Sequence, residues 1–418
     1  MPAFAPVGPS PFALADEFGW GHAMAHSPYV EWYQNSLALE GSPVQRHHRE
    51  TYGDLPYDAF VKDFLRAVEG WDPAPWADLF AAAGARYVVL VTKHHDGVLL
   101  WPSEHPNPRR PNWQTRRDVV GELAGAVRSR GLRFGTYYSG GLDWTFGGLP
   151  MGDIGAMLAA VPQDEGYVAL LDAHWRELIE RYRPDVLWND IGHPAGTDLV
   201  ALRDTYYDAV PDGVVNDRFG WMAATDAARH SDFASPEYST HFDGPGKWES
   251  TRGIGTSFGY NRSETDDDLL SSAELIHLLV DVVARGGNLL LNTGPAADGT
   301  IPWAQAERLL GLGWWLRTNG PAIHATRPWV RAEGTTAEGA AVRFTESSAR
   351  CMPSCSAHRP ALRSGWPRAD RRLNGRAPTS GLAAHRHRSH RDPALVPPPS
   401  PAVTFRITPA PVPLGGTA

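Results

Sequence analysis

Three apolar runs in this chain end on side chains that can do chemistry. His94, His95 and Asp96 follow Tyr87-Val-Val-Leu-Val-Thr92. Tyr137 and Tyr138 close Leu132-Arg-Phe-Gly-Thr-Tyr-Tyr138, and Trp188 and Asp190 close the stretch that starts at Asp185. A fourth stretch, Lys247-Trp-Glu-Ser-Thr-Arg252, runs on to Glu264, just before Asp266, Asp267 and Asp268. A carboxylate just past the end of a buried strand sits on rigid backbone and faces a cleft, where acid–base or nucleophilic work is done. Two adjacent imidazoles and a carboxylate can instead hold a metal. Plainer readings stand beside these. Asp190 can cap the next helix, the histidines can be satisfied core residues, and Glu264 can belong to a solvated acidic face.

Such groups need elements to position them. Apolar residues at helical spacing predict helices over 57–68, 118–130, 167–182, 198–210, 271–285 and 302–319, with another opened by Pro75 and Trp76 and closed by Gly84. Between them lie strand-like runs at 87–92, 132–138, 185–190, 213–217 and 288–292. Residues 1–28 and 143–162 read as loop. Strand, polar end, helix, Gly stop, strand is the order of a parallel α/β fold. Polar and aromatic residues gather after the strands, which favours a (β/α)₈-like TIM barrel over a doubly wound sheet. The Gly-Gly pairs lack the spacing of a phosphate-binding loop.

The 418 residues suffice for one large domain and a smaller one. Only two cysteines occur, Cys351 and Cys355, so there is no disulfide framework and no cysteine metal site. No run reaches membrane-spanning length and no signal peptide is visible, so the expected location is cytoplasmic. The formal charge of −8 includes an Arg-rich tail from Arg350 to Arg391, so the rest is strongly acidic and unlike a nucleic-acid binder. The 16 Trp suit sugar rings as well as ordinary cores.

Ordered motifs then make the reading specific. Tyr29-Val-Glu-Trp-Tyr33, Thr92-Lys-His-His-Asp-Gly97, Phe134-Gly-Thr-Tyr-Tyr-Ser139, Asp185-Val-Leu-Trp-Asn-Asp190, Val215-Asn-Asp-Arg218, Trp248 to Glu264 and Gly287-Asn-Leu-Leu-Leu-Asn292 together resemble the α-L-fucosidases of glycoside hydrolase family 29 over about residues 29–330. The resemblance implies removal of terminal α-L-fucose from an oligosaccharide or glycoconjugate by a retaining mechanism, with no metal or organic cofactor. Asp190 falls on the nucleophile and Glu264 on the acid/base. His94, His95, Tyr137, Trp188, Arg252, Glu31 and Trp32 fall on sugar contacts, and Arg252 is expected to keep Asp190 charged. Neither nucleic acid nor a membrane is implied as a partner, and a homo-oligomer is compatible. Two rivals stay open: a catalytically impaired fucose-binding relative, and a metal-dependent hydrolase using His94, His95 and Asp96.

The chain departs from that family at both ends. The family's first barrel strand, ending in His-Trp-Gly, has no counterpart, so the catalytic domain (1–328) is expected to lack it and the true start to lie upstream. Residues 329–418 are expected to be the remnant of a small C-terminal β domain. Within it, 350–395 reads as disordered or out of frame: shifted codons for Ala349–Ala357 can spell a strand. A strand-like piece, Ala402–Ile407, appears near the end.

Overall fold

Uninterrupted aliphatic strands need cover on both faces, which a parallel sheet flanked by helices supplies. In the computed structural model β1 (Tyr87–Lys93), β2 (Arg133–Ser139), β3 (Val186–Asp190) and β4 (Val214–Val215) pair in that order and parallel. β5 (Phe233–Ala234), β6 (Lys247–Gly253) and β7 (Gly287–Asn292) make a second parallel sheet. A parallel bridge between Asn216 and Phe233 joins the two. The described residues are 30–347, other than Ser263, Thr336 and Glu338. Among them seven parallel strands follow chain order, as in a (β/α)₈-like barrel, with β1 and β7 at the two ends of the series.

Helices α1 (Tyr33–Ala38), α2 (Pro43–Tyr52), α3 (Tyr57–Ala67) and α4 (Ala74–Ala82) precede β1. α5 (Val119–Arg128) leads from β1 to β2, α6 (Ile154–Ala159) and α7 (Glu165–Tyr182) to β3, and α8 (Leu199–Ala209) to β4. α9 (Ser272–Ala284) leads from β6 to β7, and α10 (Trp303–Asn319) follows. Asp118, Asp164, Asp198 and Ser271 cap α5, α7, α8 and α9 through their side-chain oxygens. Val120, Leu123 and Val127 of α5, Leu171, Trp175 and Leu178 of α7, and Leu202 and Tyr206 of α8 are buried against the first sheet.

Several sequence expectations need correction. The loop expected over 143–162 contains α6, capped by Asp153. The strand expected over 213–217 shrinks to Val214–Val215 and turns into a 3₁₀ segment at Asp217–Gly220. Lys247–Gly253 is a strand although Glu249, Ser250 and Thr251 are polar and buried, so it shows no apolar run. β8 (Thr326–Thr335) and β9 (Ala341–Ser347) form an antiparallel hairpin against α9, tied by Arg285 to Glu333 and Arg343 to Asp281. No helix of the described residues is long and apolar enough to cross a membrane. The expectations for residues 1–29, for the cysteines, for 350–395 and for Ala402–Ile407 lie outside the described residues.

Candidate active site

Parallel register sets the floor of the site. Tyr137 pairs with Trp188 and Ser139 with Asp190 along β2 and β3. Side chains two apart share a face, so Tyr137, Ser139, Trp188 and Asp190 point one way. The Tyr137 and Trp188 rings stack at 5.4 Å and 21°. Tyr138, on the other face, bonds His174 of α7 at 2.8 Å. His94 and His95 follow the end of β1; the His94 ring lies 3.8 Å from that of His95 and stacks on Tyr137 at 5.9 Å. Trp32 packs edge-on against His95.

Asp190 is held on both oxygens. Oδ1 accepts from Arg218 at 2.6 Å and from the Ile191 amide at 2.9 Å, and Oδ2 accepts from the Tyr137 hydroxyl at 2.6 Å. Ile191 is β-branched yet has φ +58°, a strained conformation of the kind found where a site must be aimed. The same Arg218 guanidinium donates to Glu237 Oε1 at 2.6 Å. Arg218, Asp190 and Glu237 side chains are only 6%, 11% and 13% exposed. One buried cation therefore holds two carboxylates side by side.

Charge states follow from burial. Desolvation pushes the Glu237 carboxyl up, Arg218 pulls it down, and the charge of Asp190 pushes it up again. Its Oε2 is buried with no hydrogen-bond partner. Glu31 is pushed up to about 7, chiefly by burial. Burial drives His94 and His95 well below the usual imidazole range, so both are neutral. The Ser139 hydroxyl donates to the Leu142 carbonyl at 2.9 Å, so it accepts from His95 Nδ1 at 2.6 Å. That tautomer leaves Nε2 as an acceptor. Burial and the neighbouring Asp190 raise Tyr137 well above its ordinary range, so it stays a donor.

These groups line one cavity of about 930 Å³. Glu31, Trp32, His94, His95, Tyr137, Trp188 and Asp190, all expected from the sequence, border it, and so do Arg218 and Glu237, which were not. Two expected residues do not. Glu264 folds back on its own loop and accepts from the amides of Thr256 and Ser257 at 3.1 and 3.2 Å. Its connection to the cavity is indirect, because the Ser257 hydroxyl donates to Glu31 at 3.2 Å. Arg252 lies over Tyr238 and donates to Gly253 O, so the cation beside Asp190 is Arg218 instead. Asp96 turns away as well: it accepts from Val98 N at 3.2 Å and Tyr57 at 3.1 Å, and does not border the cavity. Among the described residues, no three His, Cys, Asp or Glu side chains converge as ligands.

Known proteins are similar to this chain. An alpha-L-fucosidase from Dictyostelium discoideum is 33% identical over 71% of this chain, and the human tissue alpha-L-fucosidase 34% over 72%. The chain spans 66% and 65% of the lengths of these relatives, just under two thirds. Among solved structures, Thermotoga maritima alpha-fucosidase in complex with fucose is 45% identical, with a TM-score of 0.70 over 78% of this chain and 74% of that one. The alpha-L-fucosynthase of the same organism gives 43% and 0.74 over 83% and 77%. The sequence profile described as Alpha-L-fucosidase matches residues 18–321, well over half of the chain, which therefore belongs to the alpha-L-fucosidase family.

Proposed function

We propose that this chain removes terminal α-L-fucose from a fucosylated oligosaccharide or glycoconjugate by retaining double displacement. The observation that carries the reading is the single buried guanidinium of Arg218, which holds Asp190 and Glu237 in one cavity. Retention needs two carboxyl groups close together, about 5–5.5 Å apart, with one ionised and one protonated. Asp190 is the group oriented for attack: three donors fix it, and the strained turn at Ile191 follows directly. Glu237 is the group whose surroundings favour the proton. It takes the acid/base role that the sequence reading gave to Glu264.

In the first step an Asp190 oxygen bonds the anomeric carbon while the bond from that carbon to the leaving oxygen breaks. The Glu237 proton goes to the leaving oxygen. In the second step Glu237 takes a proton from water, the hydroxide bonds the anomeric carbon, and the ester to Asp190 breaks. Neutral His94 and His95, the Tyr137 hydroxyl and Glu31 provide donors and acceptors for sugar hydroxyls, and a sugar that leaves them unpaired is rejected. The stacked Tyr137–Trp188 pair offers an apolar wall for the C5-methyl group.

The test is release of nitrophenol from para-nitrophenyl α-L-fucoside by the full chain, with proton NMR of the first-formed sugar. Expected are the α-anomer of fucose, loss of at least about a thousandfold in Asp190→Ala, and azide rescue of that variant as the β-fucosyl azide. First-formed β-fucose, or an Asp190→Ala variant as active as the parent, overturns the reading.

A further inference from the structure

Large apolar side chains exposed at a cavity mouth mark a place where something docks. Three large apolar residues are exposed: Trp221 is 48% exposed, Ile154 48% and Met222 40%. Trp221 and Ile154 border the same cavity as Asp190, together with buried Met157. Trp221 follows the 3₁₀ segment that carries Arg218. The Arg218 guanidinium lies between two indoles, 4.6 Å from the ring of Trp188 and 5.0 Å from that of Trp221. Trp188 is 2% exposed and stacked on Tyr137, so it is the inner wall; Trp221 is the outer one. The platform is fixed against the nucleophile's own strand end. Gly192 (φ +75°) passes beneath it, and a Cβ there would meet Met222 at 3.4 Å and Trp221 at 3.6 Å.

We infer that Trp221 forms the subsite for the leaving group, and that its occupant is a neutral pyranose. The inference rests on the fucoside-hydrolase reading and adds what the fucose is attached to. A terminal sugar sits against the inner wall, so the residue it leaves must lie outward, on the Trp221 side of Arg218. An indole half open to solvent offers a flat apolar face that matches the C–H face of a pyranose. Ile154 and Met157, which border the same cavity, carry no charge, and the Arg218 guanidinium against the indole is already paired with Asp190, which fits a neutral sugar better than a charged one.

The test compares two substrates of the full chain: a fucosyl-galactose disaccharide, and α-L-fucosyl fluoride, whose leaving group is too small to reach the indole. Expected in Trp221→Ala is a fall of about tenfold in the ratio of kcat/KM for the disaccharide to that for the fluoride, with Trp221→Phe recovering much of it. Saturation-transfer NMR on the Asp190→Ala background gives a readout without turnover: galactose protons receive saturation when Trp221 is present and lose it when Trp221→Ala is added, while fucose protons keep it. An unchanged ratio, or galactose protons saturated equally in both, overturns the subsite. If the parent does not cleave the fluoride and the Asp190→Ala chain does not saturate fucose protons, the fucosidase reading itself falls and the subsite with it.

Discussion

Glu237 and Glu264 are both carboxyls shifted upward by burial, yet only one faces the cavity. Leaving groups tell them apart. A general acid matters in proportion to how badly the departing oxygen needs a proton. Glu237→Gln is expected to lower kcat/KM about a hundredfold or more on a methoxyphenyl fucoside and far less on a dinitrophenyl fucoside. Glu264→Gln, which loosens the Thr256–Ser257 turn and through it Glu31, is expected to affect both substrates alike. A leaving-group dependence in the Glu264 variant instead would restore it to the acid role. The sequence exposed Asp190, Trp188, Tyr137, His94 and His95 because each ends or follows a strand-like run. Glu237 follows a strand of only two residues, Phe233–Ala234, which no apolar run announced; Arg218 lies just past the strand expected over 213–217, but the role of cation beside Asp190 was given to Arg252 instead. Glu264 sits beside an equally polar and more conspicuous stretch, and only tertiary structure separates the two.

At the level of elements, the strand ends are tied by buried polar groups. Lys93 at the end of β1 donates to the carbonyls of Ser139 and Leu142 and pairs with Asp143 at 3.3 Å, which joins the ends of β1 and β2 beneath His95. Glu249 on β6 does the same across the interior: it accepts from Trp188 of β3 at 3.0 Å and from Tyr87 of β1. Its carboxyl is pushed up to about 7, chiefly by burial. The folded state therefore binds a proton that the unfolded chain has released between pH 4.5 and about 7, and this group's contribution to stability falls as pH rises through that window. Gln mimics the protonated form. Glu249→Gln is thus expected to gain melting temperature relative to the parent as pH is raised from about 5 to about 8. A difference between the two that is flat in pH would show that Glu249 is not protonated in the fold. The sequence could not suggest this tie, since Glu249 lies in a polar stretch whose strand character comes from its neighbours.

On the scale of the whole molecule, the cavity does not stop at the sugar-facing groups. It continues between the ends of the series, bordered by Tyr87–Val91 of β1 and Gly287–Asn292 of β7, with Leu309, Leu312 and Leu316 of α10 behind them. Strands paired on both sides open less readily than strands paired on one. Hydrogen exchange is expected to be slower, by about tenfold or more, for amides of β2 and β3 than for those of β1 and β7. Equal protection would mean that a segment outside the described residues pairs with those two edges.

His94 and His95, both neutral, add no charge to the pocket. Glu31, pushed up to about 7, still changes charge near neutral pH, but under the proposed roles, with Glu237 protonated, the charges of Asp190 and Arg218 cancel, and the reacting groups carry no net charge although the chain sums to −8. Fucose is uncharged too. Encounter therefore gains nothing from long-range attraction, and dissolved salt has no field to screen between the partners.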